Sequence, residues 1–160
     1  MTSKMEQALL QSAGLTFEGL GFVFPTEALD DDQLAAPLQA TVSVDFCGPF
    51  SGTLVLQLYG DLLPTIAMNM LGSDEPPSAS LQRDALGEMG NVICGNVLPA
   101  IAGDRVVFNL RAPRVVISAE AQRPPAPIPA AVTHLGIEQG RADVLLFMSG
   151  EPEPTTETKP

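Results

Sequence analysis

Between Asp84 and Gly95 the chain reads Asp-Ala-Leu-Gly-Glu-Met-Gly-Asn-Val-Ile-Cys-Gly, and its polar residues recur at intervals of four, three and four. On a helix turning roughly 100° per residue, Asp84, Glu88, Asn91 and Gly95 fall within about 60° of one another. Ala85, Met89, Val92, Ile93 and Val97 lie on the other side. The segment is therefore expected to bury that side and to present a carboxylate and a carboxamide one turn apart on a rigid rod, beside a glycine that leaves room for something to approach. The spacing alone also fits a plainer role, because a Glu and an Asn at i and i+3 are common on the wet face of an amphipathic helix.

The surrounding elements decide what such a rod can lie on. Residues 3 to about 18 read as a helix with Ser3 as its cap, followed by a short extended segment from Gly21 to Pro25. Asp30-Asp31-Asp32 opens a polar connection through Pro37. Consecutive carboxylates without ligand spacing indicate a solvated loop in preference to a metal site. Gln39 to Phe46 and Thr53 to Tyr59 alternate with a period of two, and Cys47 to Gly52 supplies two glycines for the turn between them, so the pair reads as a hairpin. Asp61 to Leu71 reads as a short helix capped by Asp61 and ended at Gly72. Pro76-Pro77 breaks the chain before Ser78 or Ser80 caps the long helix. That helix is expected to reach about Leu98, with Pro99 kinking or finishing it, Gly103 at the exit and Asn96 as a buried amide. Arg105 to Leu110, Arg114 to Ser118, Ala131 to Glu138 and Asp143 to Met148 read as strands, the last two joined around Gly140. A proline- and alanine-rich loop separates the first pair from the second. Residues 1–150 are thus expected to form one domain, and residues 151–160 a disordered acidic tail rich in Pro and Thr.

Composition removes several functions. Nineteen acidic against eight basic residues give a formal charge of −11, which repels phosphate backbones and argues against nucleic acid. No apolar run reaches the length of a membrane span, and the first residues lack the basic and apolar regions of a signal peptide, so a cytoplasmic location is expected, with no membrane partner. Cys47 and Cys94, the two cysteines, read as small buried thiols. His134 is the one histidine and reads as an isolated surface or loop residue, leaving no Ser-His-Asp or Cys-His arrangement and no metal ligand set. No glycine-rich phosphate loop follows a strand.

The long helix resembles the signature of the CheX/CheC/FliY family of chemotaxis phosphatases. That signature is an Asp or Ser, a Glu four residues on, an Asn three further and a small residue after it, here Asp84, Glu88, Asn91 and Gly95, with a proline about 22 residues past the Asn at Pro113. The chain carries one copy of the signature, so it is similar to the single-site CheX branch. The resemblance implies an α+β, CheC-like fold in which an antiparallel sheet packs against a pair of long helices. It also implies dephosphorylation of the aspartyl phosphate of a CheY-like receiver, in a chemotaxis or two-component pathway. In that reading Glu88 and Asn91 are catalytic: Glu88 pairs with the receiver's active-site lysine, and Asn91 orients a water in line with the phosphate. Asp84, Glu88 and Gly95 contact the partner. The Mg²⁺ belongs to the receiver, no cofactor or metal to this chain, and a homodimer through a strand edge such as Arg105 to Leu110 is expected. The alternatives are a non-catalytic receiver-binding module of the same fold and a dimerising structural module whose helix stripe is merely wet surface. Gly87 and Gly90 stand against helix propensity, at about 1 kcal/mol each relative to alanine.

Overall fold

The long helix lies across an antiparallel sheet whose alternating residues provide the apolar layer it needs. The computed structural model describes residues 3–117 and 128–149. Its elements are α1 (Lys4–Gly19), α2 (Asp31–Ala35), β1 (Leu38–Cys47), β2 (Gly52–Tyr59), α3 (Leu63–Leu71), α4 (Ala79–Ala102), β3 (Asn109–Leu110), β4 (Arg114–Ile117), β5 (Ala131–Ile137) and β6 (Gly140–Met148). The strands are ordered β3-β1-β2-β6-β5, with β4 also pairing β1, and every pairing is antiparallel. The α+β architecture with two long helices on one sheet is the one the sequence led us to expect. The Pro/Ala-rich loop up to residue 127 and the acidic tail fall outside the described residues. No helix among those described is long and apolar enough to cross a membrane.

Period-two patterning explains the layering. Ala40, Val42 and Val44 of β1, Leu54, Leu56 and Leu58 of β2, and Ala142, Val144 and Leu146 of β6 are buried on one face. Leu9, Ala13 and Phe17 of α1 and Leu86, Met89, Ile93 and Val97 of α4 join them in one core. Ser3 caps α1 through a capping box with Glu6. Two glycines let α4 approach closely. A Cβ on Gly90 would lie 2.9 Å from Val42 Cγ1, and one on Gly87 would lie 3.1 Å from Pro113 Cγ. The same two residues that weaken helix propensity are thus the points where α4 touches β1 and the turn into β4.

Several elements differ from the expectation. The polar connection after Asp30 is α2, because the Asp30 side chain accepts from the N–H of Gln33 while Gln33 accepts from the N–H of Asp30. Asp61 does not cap α3. That helix begins at Leu63 with no side-chain cap from its own N-cap residue, and Gln39 Oε1, from β1, accepts from the N–H groups of Leu62 and Leu63 at 3.0 Å each. α4 runs through Pro99 to Ala102 and ends at Gly103, whose φ of 97° closes it. Pro99 deprives the carbonyl of Gly95 of its N–H partner. Because Gly95 is exposed, the continuation is tolerated. Asn96 is exposed too: it lies at the margin of the buried arc, beside the half-buried Val92. Of the strand expected over Arg105 to Leu110, Asn109–Leu110 alone pairs, since Val107 is exposed and Phe108 is drawn into an edge-to-face cluster with Phe46 and Phe50. Cys47 is exposed rather than buried, whereas Cys94 is buried and its thiol is pushed up to about 12 by desolvation.

His134 is not isolated. On the sheet face away from α1 and α4 it stands opposite Asp143 across the β5–β6 ladder, with its Nδ1 2.7 Å from Asp143 Oδ1. Arg141 Nε donates to the same oxygen at 3.1 Å, and Arg141 Nη1 donates to the carbonyls of Gln33 and Leu34, which straps α2 onto β6. The guanidinium also lies 3.7 Å from the centre of the Tyr59 ring. The hydrogen bond to Asp143 raises the pKa of His134 against a smaller opposing effect of burial.

Two outcomes follow from this packing. Gly90→Ala is expected to destabilise the fold by about 1–3 kcal/mol despite the gain in helix propensity, because Val42 is β-branched, buried and unable to retreat; urea unfolding of the variant checks this. A raised histidine pKa contributes stability that is complete below the unfolded value and lost as pH rises through the folded one. His134→Ala should therefore cost more stability at pH 5.5 than at pH 8.5, read as the difference in melting temperature between variant and parent at each pH.

Candidate functional site

Ser78 starts α4 by accepting from the N–H of Leu81 at 3.2 Å, and the helix then carries the polar stripe along its outer side. Asp84, Glu88 and Gly95 are exposed and Asn91 is half-buried. Arg83, Asp84, Gly87, Glu88 and Asn91 form one wall of an open groove of about 300 Å³, and Pro113 and Val115 form the other. The groove exists because Gly87 admits Pro113 and because Arg83 Nη1 donates to the carbonyl of Val115 at 2.7 Å, tying β4 to the helix.

Of the residues singled out from the sequence, Asp84, Glu88 and Asn91 come together at this groove, and Pro113 faces them. Gly95 does not line it. It sits further along the same stripe, and an added Cβ there would meet no atom within 4 Å. Arg83 and Val115 were not foreseen. Arg83 lies on the flank of the stripe, and nothing local to the sequence shows that β4 returns to that flank.

The groove is chemically mixed. A guanidinium stands beside two carboxylates, and between them a neutral carboxamide is held on a helix rather than on a loop. The Oδ1 atom of Asn91 is buried and has no hydrogen-bond partner among the described residues. An unmet buried acceptor costs on the order of 1–3 kcal/mol, and its retention calls for an explanation. Rotation about the last torsion of an Asn side chain is soft, so the amide can turn to offer this acceptor to a donor in the groove without breaking an existing bond. Among the described residues no group of three or more His, Cys, Asp or Glu is arranged to hold a metal.

An antiparallel sheet backing a long helix, with a carboxylate and a carboxamide displayed at i and i+3 beside a proline wall, sets this chain among α+β proteins that carry a polar stripe on one long helix. Residues 40–127 match the model of the chemotaxis phosphatase CheX, so the chain belongs to the CheX family. A chemotaxis protein CheX from Vibrio vulnificus is similar in structure, with a TM-score of 0.74 at 15% identity, covering 93% of this chain and 100% of that one. CheX from Desulfovibrio desulfuricans gives a TM-score of 0.72 at 13% identity, covering 92% and 100%. A CheX–CheY–BeF3–Mg²⁺ complex from Borrelia burgdorferi gives 0.67 at 16%, covering 90% and 97%. None of the curated proteins matches this chain.

The open space at Gly95 generates a prediction. Gly95→Ala should stabilise α4 by about 0.5–1 kcal/mol through helix propensity. If the stripe is a docking surface, the same methyl group should weaken partner affinity. A rise in melting temperature with unchanged affinity would remove Gly95 from that surface.

Proposed function

We propose that this chain hydrolyses the aspartyl phosphate of a CheY-like response-regulator receiver, with Glu88 as the anchor and Asn91 as the residue that aims the water. The observation that carries the reading is the unpartnered Asn91 carboxamide acceptor one helical turn from the exposed Glu88, in one groove, in a chain of the chemotaxis phosphatase family. Hydrolysis of an acyl phosphate asks little covalent chemistry of the protein. It needs an attacking water held in line with the phosphorus, and a neutral amide accepts a hydrogen bond from that water without repelling the phosphoryl group. A carboxylate in the same place would repel it. Glu88 suits the cation beside the phosphate, the receiver's lysine, with which it makes a charge-assisted hydrogen bond.

The solved relative from Borrelia burgdorferi combines CheX with CheY, BeF3 and Mg²⁺. By the same reasoning the divalent ion of the present reaction resides in the receiver, and this chain brings no cofactor of its own. We place the protein in the cytoplasm, where such receivers work, and take residues 1–150 as the functional domain. Asp84 and Arg83 border the docking face, and Arg83 also keeps the proline wall in place.

Separating the two residues by role tests the reading. Glu88→Ala should weaken receiver binding by about 1–3 kcal/mol, the worth of a largely desolvated charge-assisted hydrogen bond. Asn91→Ala should leave binding nearly intact and slow phosphate release roughly 100-fold, because an interaction made in the transition state appears in turnover and not in affinity. The measurements are receiver affinity and phosphate release for each single variant. Wild-type turnover by Asn91→Ala would overturn the catalytic role of Asn91, and release no faster than from the receiver alone in both proteins would leave the helix as a receiver-binding surface.

A further inference from the structure

The two edges of the sheet are treated differently. Beyond β1, the edge is covered by β3 and β4. At the other edge β5 pairs with β6 on one side, and on its outer side makes one rung alone, where Gly136 and Thr26 exchange N–H···O bonds of 2.7 and 2.8 Å. Backbone groups alternate in direction along a strand, so those of Val132 and His134 point outward with those of Gly136. Among the described residues neither meets a partner there. The rung is not extended because Thr26 Oγ1 donates to the carbonyl of Ala28, turning the chain toward Asp30 and α2.

The open stretch of edge is a groove of about 280 Å³ between α1 and the segment after Thr26. Leu10, Leu29 and Val132 give it an apolar lining, Glu6 and Glu27 set a carboxylate on each flank, and Thr133 and His134, the latter held by Asp143, complete it. The strand itself, Ala-Val-Thr-His-Leu-Gly-Ile, has none of the usual guards of an edge: no lysine, no proline and no bulge. We propose that this edge is a strand-addition site for an extended polypeptide segment bearing lysine or arginine, which continues antiparallel to β5 from the Thr26 rung. Backbone bonds to Val132 and His134 supply affinity, and Glu6 and Glu27 select basic side chains. A second copy of this chain is disfavoured as the occupant, because edge-to-edge pairing would bring the same two carboxylates of each copy together on a chain already at −11. The site stands apart from the α4 groove and shares no residue with it.

The probe is a terminally blocked peptide of about eight residues alternating lysine and valine, with a glutamate-for-lysine peptide as control. Binding is read by fluorescence anisotropy, and protection of the Val132 and His134 amides by hydrogen exchange of the full chain. The basic peptide should bind at least roughly tenfold more tightly than the acidic one and protect both amides. Val132→Pro removes an outward N–H that the β5–β6 ladder does not use, so the fold should survive while affinity drops roughly tenfold. Glu6→Gln combined with Glu27→Gln, which keeps the helix cap, should erase the preference for lysine. Phosphate release from a phosphorylated receiver should be unchanged in all these variants. Equal affinity for both peptides, no binding, or no effect of Val132→Pro in a folded protein would overturn the proposal. Protection of the two amides that rises with protein concentration alone, together with a dimeric mass, would also overturn it, because the occupant would then be a second copy.

Discussion

The rest of the structure depends on how closely α4 lies on the sheet. Gly90 rests over Val42 and Val44 with no room for a methyl group, and Gly87 rests against Pro113 with little more. Each of these glycines immediately precedes a residue of the proposed site, Gly87 before Glu88 and Gly90 before Asn91. One residue turns a helix by roughly 100°, so pinning the glycines against the strands turns the next residues outward. The helix has no freedom to roll about its axis without driving its backbone into Val42 or lifting off Pro113. Helix propensity is given up at two positions, and in return the aim of Glu88 and Asn91 is fixed by packing rather than by the flexibility of their own side chains.

What was legible in the sequence was what is periodic. The stripe on α4, the β1–β2 hairpin, the capping by Ser3 and the exit at Gly103 each follow from residues within a turn or two of one another. What was not legible depends on contacts across the chain. The two glycines read locally as weak points because the residues that need their space, Val42 and Pro113, are remote in sequence. The start of α3 was assigned to Asp61 because Asp is a good cap, but Gln39 from the neighbouring strand does the work instead. Arg83 and Val115 joined the site only when β4 returned to α4. Asn96 was misplaced since a helical wheel assumes that the buried arc is the same along the whole helix, and the last turns of α4 do not meet that condition.

The polar face of the sheet shows a second kind of economy. Asp143 and Arg141 are both buried, a costly placement unless the charges are paired and their hydrogen-bonding capacity is met. Here Asp143 accepts from Arg141 Nε and faces His134, while Arg141 Nη1 donates to the carbonyls of both Gln33 and Leu34. Those carbonyls belong to α2, whose own cap is Asp30. The network therefore fixes the segment between Thr26 and α2, and with it the flank of the open β5 edge. Histidine protonation acts on the same network through the hydrogen bond to Asp143.

The fold persists at 13 to 15% identity with TM-scores of 0.72 to 0.74 because its packing makes loose demands on the sequence. Alternating apolar residues of about the right volume suffice for the sheet, and many sequences supply them. Aspartyl-phosphate hydrolysis as proposed adds a need for two polar side chains at i and i+3 and for backbone approach beneath them. A metal centre or a catalytic triad would need several residues from separate elements to converge within fractions of an ångström. In the proposed site a single helix carries both groups, so their mutual geometry is set by the helix itself. The tertiary structure has one task left, which is to hold the roll and height of that helix against the sheet, and that is the task Gly87 and Gly90 perform.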